Sequence, residues 1–150
     1  GAPHRLVLAG SENRYAKEVL KAVEKSAYSS DIFITDYFEH DNLPELYSCA
    51  DACIFPSVID GSGLSVIEAI STGIPVLCAK AGALPEIAGD SALYFNPDDT
   101  EEFASLIQQV IEDKSLRKRL ISNGLDRVKL FSWKNTAIKT VEVLEKAVKV

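Results

Sequence analysis

Basic residues are in the minority in this sequence: 16 Lys and Arg stand against 22 Asp and Glu, for a net charge of −6. A nucleic-acid binder carries a basic stripe that neutralises phosphates, and none is visible, which sets that class aside. Long apolar runs are missing too. No uninterrupted stretch approaches the roughly 18 residues that a membrane-spanning helix needs, and the N-terminus lacks a signal-peptide pattern. Three cysteines (Cys49, Cys53, Cys78) and two histidines (His4, His40) are too few and too scattered for a zinc framework. In SCADACIF, Cys49 and Cys53 read as small core residues of a reducing compartment, where a helix end runs into a buried strand. His40, inside EHDNLPEL, reads as a solvated loop histidine.

What is present is the composition of a folded soluble protein, 47% hydrophobic and 25% charged. The 150 residues suit one domain, or a lobe of something larger. Chains of this size bury about two-thirds of their unfolded surface, so a core is possible without disulfide or metal staples.

Short apolar, β-branched runs alternate with amphipathic stretches, the pattern of strand–helix–strand units around a parallel sheet. The strands expected are Arg5–Ala9, Asp31–Thr35, Ala52–Pro56, Pro75–Ala79 and Ala92–Phe95. Several are apolar on both faces, as they are where helices cover both sides of a sheet. Helices are expected over Arg14–Ala27, Leu43–Cys49, Gly63–Ser71, Leu84–Ala88, Thr100–Glu112, Ser115–Lys129 and Trp133–Val148, the last ones packing back on the sheet. Asp99 with Glu102 forms a capping box, which explains the Asp98–Asp99 pair better than a metal site does. Gly73 followed by Pro75 ends the preceding helix. No repeat or linker marks an internal boundary.

In doubly wound folds, ligands sit beyond the carboxyl ends of the strands. One loop there stands out: Pro56-Ser57-Val58-Ile59-Asp60-Gly61-Ser62-Gly63-Leu64, which follows an apolar strand and enters a helix. Free N–H groups and the helix dipole favour an anion at such a junction. Gly61 and Gly63 let the backbone approach a ligand and adopt conformations that other residues resist, although a turn without a ligand has the same pattern. At about 100° per residue, Val66, Ile67, Ala69 and Ile70 share one side of the helix, and Glu68 lies opposite with Ser65 and Thr72. A carboxylate so placed can accept hydrogen bonds from a diol, as an acidic residue grips a ribose in dinucleotide folds; a solvated surface glutamate fits the same periodicity.

The stretch PSVIDGSGLSVIEAISTGIPVLCAKAGALPEIAGDSALYFNPDD resembles the donor-binding segment of retaining, nucleotide-sugar-dependent glycosyltransferases of the GT-B fold, the large group-1 family. LPELYSCADACIFPS before it and FSWKNTA near the end extend the resemblance over essentially the whole chain. It implies an α/β, Rossmann-like, doubly wound parallel sheet, the C-terminal lobe of such an enzyme, ending in C-terminal helices. It also implies that residues 1–150 form a single domain, most of the donor-binding lobe, without the N-terminal acceptor lobe and without the first strand of this lobe, whose loop carries an Arg and a Lys that clamp the diphosphate. Arg14 and Lys17 are the nearby basic residues here, and both read as plain helix surface.

By resemblance, Asp60 contacts the transferred sugar, and the N–H groups of Gly61, Ser62, Gly63 and Leu64 face sugar and diphosphate. Glu68 holds the ribose hydroxyls, and Tyr37 and Phe38 frame the base. Asp60 and Glu68 are therefore the catalytic candidates. Two departures stand in the loop: the family's first glutamate is Asp60, one methylene shorter, and its usual phenylalanine is Ser62. The implied activity is hexosyl transfer from a GDP- or UDP-linked sugar, GDP-mannose first, to a glycan or lipid-linked acceptor in surface polysaccharide or lipopolysaccharide synthesis. No metal ion and no other cofactor is implied. The implied place is the cytoplasm, or the inner face of the membrane for the full-length protein, and a chain lacking the acceptor lobe and the clamp is expected to be inactive alone. Two other classes share these features: a lobe that binds a nucleotide or sugar without transferring anything, and a sugar-nucleotide epimerase.

Overall fold

The computed structural model describes residues 3–10, 16–35 and 39–148. The chain divides into two compact units, Gly1–Leu43 and Pro44–Val150.

The first unit is one strand–helix–strand element. Strand β1 (Leu6–Leu8) pairs in parallel with β2 (Ile32–Ile34), with Val7 opposite Phe33, and helix α1 (Ala16–Lys25) connects them. The Thr35 N–H donates to the Leu8 carbonyl at 3.0 Å, extending the ladder by one bond. Burial on both faces, expected from the apolar runs, does not occur here. Leu6, Val7, Phe33 and Ile34 all remain exposed, because a single helix can cover at most one face of a two-stranded sheet.

The second unit begins within helix α2 (Leu43–Ser48) and is built on three parallel strands: β3 (Cys53–Phe55), β4 (Val76–Ala79) and β5 (Ala92–Phe95), in that order. Leu77 lies between Ile54 and Leu93. Every residue of β4 is buried. Successive strand side chains point to opposite faces, so both faces of this central strand are covered, as a doubly wound sheet requires.

Helices α3 (Leu64–Ser71) and α4 (Leu84–Ala88) pack on β4, α5 (Thr100–Glu112) packs on β5, and α6 (Lys114–Val128) packs on α3 and α5. The core runs through Val66, Ile70, Leu77, Leu84, Val110 and Leu120, all 3% exposed or less. Phe95 stacks on Phe103 with ring centroids 4.3 Å apart, fastening α5 to the sheet edge. Gly124 lets α6 approach closely: a Cβ there would lie 2.6 Å from Ile70 Cγ2.

The local punctuation behaves as its chemistry dictates, with one change. Asp99 caps α5 by accepting from the Glu102 N–H at 2.9 Å, but the Glu102 carboxylate reaches back to the Asn96 N–H at 2.7 Å rather than to Asp99. The Asp99 N–H is already satisfied by the Asn96 carbonyl. Asp113 caps α6 in the same way, accepting from Ser115 and Leu116, and these two bonds with the Ser115 hydroxyl hold its carboxyl below the usual range. Gly73, at φ 76°, takes the left-handed conformation just past α3.

Helix α7 (Trp133–Val148) has the expected bounds and an unexpected environment, for none of its residues is buried. Trp133, Val141, Leu144 and Val148, on one stripe, are all more than half exposed. Of the terminal helices, α6 packs on α3 and α5 rather than directly on the sheet, and α7 buries no residue. Periodicity specifies an apolar face, not the surface that meets it. The cysteines are corrected too: all three are free thiols, but only Cys78 is buried, Cys53 is half-buried and Cys49 is exposed, because Cys49 lies just beyond the last turn of α2. Among the described residues, no helix is long and apolar enough to cross a membrane.

Candidate functional site

The loop from Pro56 to Gly63 leaves the carboxyl end of β3 and enters α3, and the Lys80–Ala83 loop leaves the carboxyl end of β4 beside it. They are locked together. The Asp60 carbonyl accepts from the Ala83 N–H at 3.0 Å, and a Cβ on Gly82, which has φ 56°, would lie 2.7 Å from that carbonyl oxygen. Only glycine allows so close a backbone approach in that conformation.

Gly63 also needs its lack of a side chain. It is buried, adopts φ 59° as the residue before α3, and lies against Ile87, whose Cγ1 a Cβ would meet at 3.0 Å. Gly61 differs. Its φ is not positive, and a Cβ would meet nothing within 4 Å. Of the two glycines, then, Gly63 is demanded by backbone and packing, and Gly61 leaves an open flank.

The Asp60 carboxylate turns back on its own loop, with Oδ1 accepting from the Ser62 N–H at 2.9 Å and the Gly63 N–H at 2.6 Å. This Asx-type turn places a negative charge at the start of α3, where the helix dipole favours it. Two of the four N–H groups that the sequence offers to a ligand, those of Ser62 and Gly63, thus already have a partner. The N–H groups of Leu64 and Ser65 have no acceptor among the described residues. As the first N–H groups of α3, they can donate to an anion.

Glu68 is half-buried on the next turn of α3, as is Ile67, which the spacing puts on the core side, while Val66, Ala69 and Ile70 are buried as expected. Tyr47, from α2, lies within the electrostatic reach of Glu68. Its phenol is pushed up to about 12, by burial first and then by Cys53 and Glu68. The sequence pattern does not single out Tyr47, because an aromatic on a helix normally signals core. Lys80, just after β4, and Ile59, in the loop after β3, are both exposed, Ile59 at 90%.

Tyr37, Phe38 and Arg14 lie outside the described residues, and of His40 only the backbone, in a 3-10 turn, is described. Lys17 is exposed on α1. No group of three or more His, Cys, Asp or Glu side chains among the described residues is placed to hold a metal ion.

The start of α3 can seat an anion, and carboxylates are supplied by Asp60 in the loop before the helix and by Glu68 on its second turn. That suits a ligand carrying both phosphate and hydroxyl groups.

Residues 2–127 match the family of glycosyl transferases group 1. The O-antigen chain mannosyltransferase B of Escherichia coli is 33% identical over 136 residues, covering 91% of this chain and 36% of the relative. The MMP alpha-(1->4)-mannosyltransferase of Mycolicibacterium hassiacum is 30% identical over 132 residues, covering 85% and 32%. Among solved structures, sucrose-phosphate synthase from Thermosynechococcus elongatus superposes with a TM-score of 0.85 at 25% identity, over 97% of this chain and 39% of that one. The chain spans about a third of the length of these curated relatives. With a parallel α/β fold, a glycine-lined loop at the strand ends and a family match over most of its length, the chain belongs to the group 1 glycosyl transferases.

Proposed function

We propose that this chain is the donor-binding lobe of a retaining hexosyltransferase that uses a nucleotide-diphosphate sugar. The carrying observation is the start of α3, where the Leu64 and Ser65 N–H groups have no acceptor among the described residues and the Asp60 loop leads into the helix. A diphosphate fits the N–H pair, and a ribose diol fits Glu68. Asp60 holds the loop and directs its remaining carboxylate oxygen to the transferred sugar. Tyr37 and Phe38 are assigned to the base.

Catalysis in this reading is electrostatic. Oriented N–H dipoles stabilise the leaving diphosphate as the sugar develops oxocarbenium-like charge, and losing one such donor typically costs about 2.7–4 kcal/mol of barrier. No metal ion is assigned a part.

The mannosyltransferase names of the two relatives, at 33% and 30% identity, support a mannosyl donor. GDP-mannose is accordingly the first candidate. The O-antigen chain named for one relative supports a surface-polysaccharide acceptor; in this reading a separate lobe of the full-length protein holds the acceptor, and synthesis takes place in the cytoplasm. The test is transfer of labelled sugar by the full-length protein from a panel of GDP- and UDP-linked donors, with and without EDTA. Labelled product that requires an intact Glu68 supports the reading; binding without transfer from every donor refutes it.

A further inference from the structure

The geometry points to Arg127 as a positioning residue for the loop at the start of α3, acting through α4. This inference rests on the proposed donor site. Arg127, on α6, donates from Nε to the Ile87 carbonyl at 2.9 Å and from its terminal nitrogen to the Glu86 carbonyl at 2.5 Å. Its guanidinium stands 5.5 Å from the Phe131 ring centroid and lies against Gly89, where a Cβ would be 3.4 Å from Cζ. Gly89 itself, at φ 57°, has its carbonyl held by the Tyr94 hydroxyl at 2.6 Å. Asn123, one turn earlier on α6, reaches Asp90.

Helix α4 has five residues, far below the length at which a helix holds itself together in water. Its last carbonyls lack intrahelical partners, and a planar cation with two aligned donors is the group best suited to satisfy them and the negative end of the dipole. The other end of α4 faces the loop. Ala83, just before the helix, donates to the Asp60 carbonyl. Ile87, whose carbonyl Arg127 holds, places its side chain against Gly63, and Gly63 in turn donates to the Asp60 carboxylate. Arg127, Ile87, Gly63 and Asp60 therefore form one chain of direct contacts linking α6 to the Asp60 loop, although Arg127 and Ile87 are 40 residues apart.

Native-state hydrogen exchange on the 150-residue chain tests this, with Arg127→Ala, Arg127→Lys and Val110→Ala compared. Val110 is buried on α5, which packs on β5 and α6, so its truncation destabilises the fold without touching the clamp. Arg127→Ala is expected to speed exchange at Gly63 and Ala83 by about tenfold relative to the β4 amides, and Arg127→Lys, which keeps the charge and one donor, by less. Val110→Ala should leave that ratio unchanged. Titration with GDP and with UDP should then show weaker binding in Arg127→Ala than in Val110→Ala at matched stability. An unchanged exchange ratio in both Arg127 variants, or nucleotide affinity that follows stability alone, overturns the inference. If the wild type binds neither nucleotide, the donor-site reading fails, and the exchange ratio still decides whether Arg127 positions the loop.

Discussion

The Gly82 α-carbon passes so close to Asp60 that an added Cβ would lie 2.7 Å from the Asp60 carbonyl oxygen and 2.9 Å from its nitrogen. Both atoms are backbone and cannot rotate away, and Gly82 has a positive φ of 56° as well. Two strand-end loops 22 residues apart in sequence are thereby held in one position.

Gly82→Ala is expected to destabilise the protein by about 2–3 kcal/mol, from backbone strain and overpacking together. Gly61→Ala, in open space, should stay within about 1 kcal/mol of wild type. Urea melts of the two variants check the contrast; equal losses would mean that the loops are not locked as described.

Glu68→Ala should weaken GDP or UDP binding by about tenfold to a hundredfold, the loss of a charged hydrogen bond of about 1.5–3 kcal/mol. Its effect on stability should stay below about 1 kcal/mol, because Glu68 is off the buried face of α3. Calorimetric titration beside thermal melts supplies both quantities. Equal affinities in wild type and variant refute the ribose role.

Asp60 has a structural and a proposed functional task, and two substitutions separate them. Asp60→Ala removes the acceptor for Ser62 and Gly63 and should cost about 0.5–2 kcal/mol, as lost caps do. Asp60→Asn keeps an acceptor oxygen and should cost less, yet in the full-length enzyme it should lower kcat/KM by about tenfold or more through the missing charge. Full turnover in Asp60→Asn would remove Asp60 from the sugar site.

Alkali should loosen the fold through its thiols. Burial raises Cys53 to about 11 and Cys78 to about 12, from 9.0 for an unperturbed thiol. The folded state prefers the protonated forms, so this contribution is fully present below pH 9 and is lost as pH rises through 11 and 12. A Cys53→Ala/Cys78→Ala variant should show a shallower fall in stability between those limits, read from urea melts across the range. In native protein at pH 8, iodoacetamide should label exposed Cys49 first.

Much of this architecture is legible residue by residue. Ala92–Phe95 and Thr100–Glu112 are expected and observed with the same bounds, because Asp99 sets the start of α5 through a bond spanning three residues. The alternation of apolar runs and amphipathic stretches is likewise local, so it identifies the parallel α/β class and places the Asp60–Gly63 loop at a strand end. The buried face of α3 follows from spacing alone, and with it the position of Glu68.

Tertiary structure decided the rest. That Gly63 is obligatory and Gly61 is not depends on Ile87, 24 residues further on. That the Lys80–Ala83 loop holds Asp60, and that Arg127 completes α4, depends on hydrogen bonds between segments brought together only by the sheet and by α6. The exposed β1 and β2 strands and the bare stripe of α7 carry the same lesson. Periodicity is a property of neighbours along the chain and determines which side chains share a face. What covers that face, and which backbone groups meet across a loop, is settled by packing between distant segments, which no local pattern encodes.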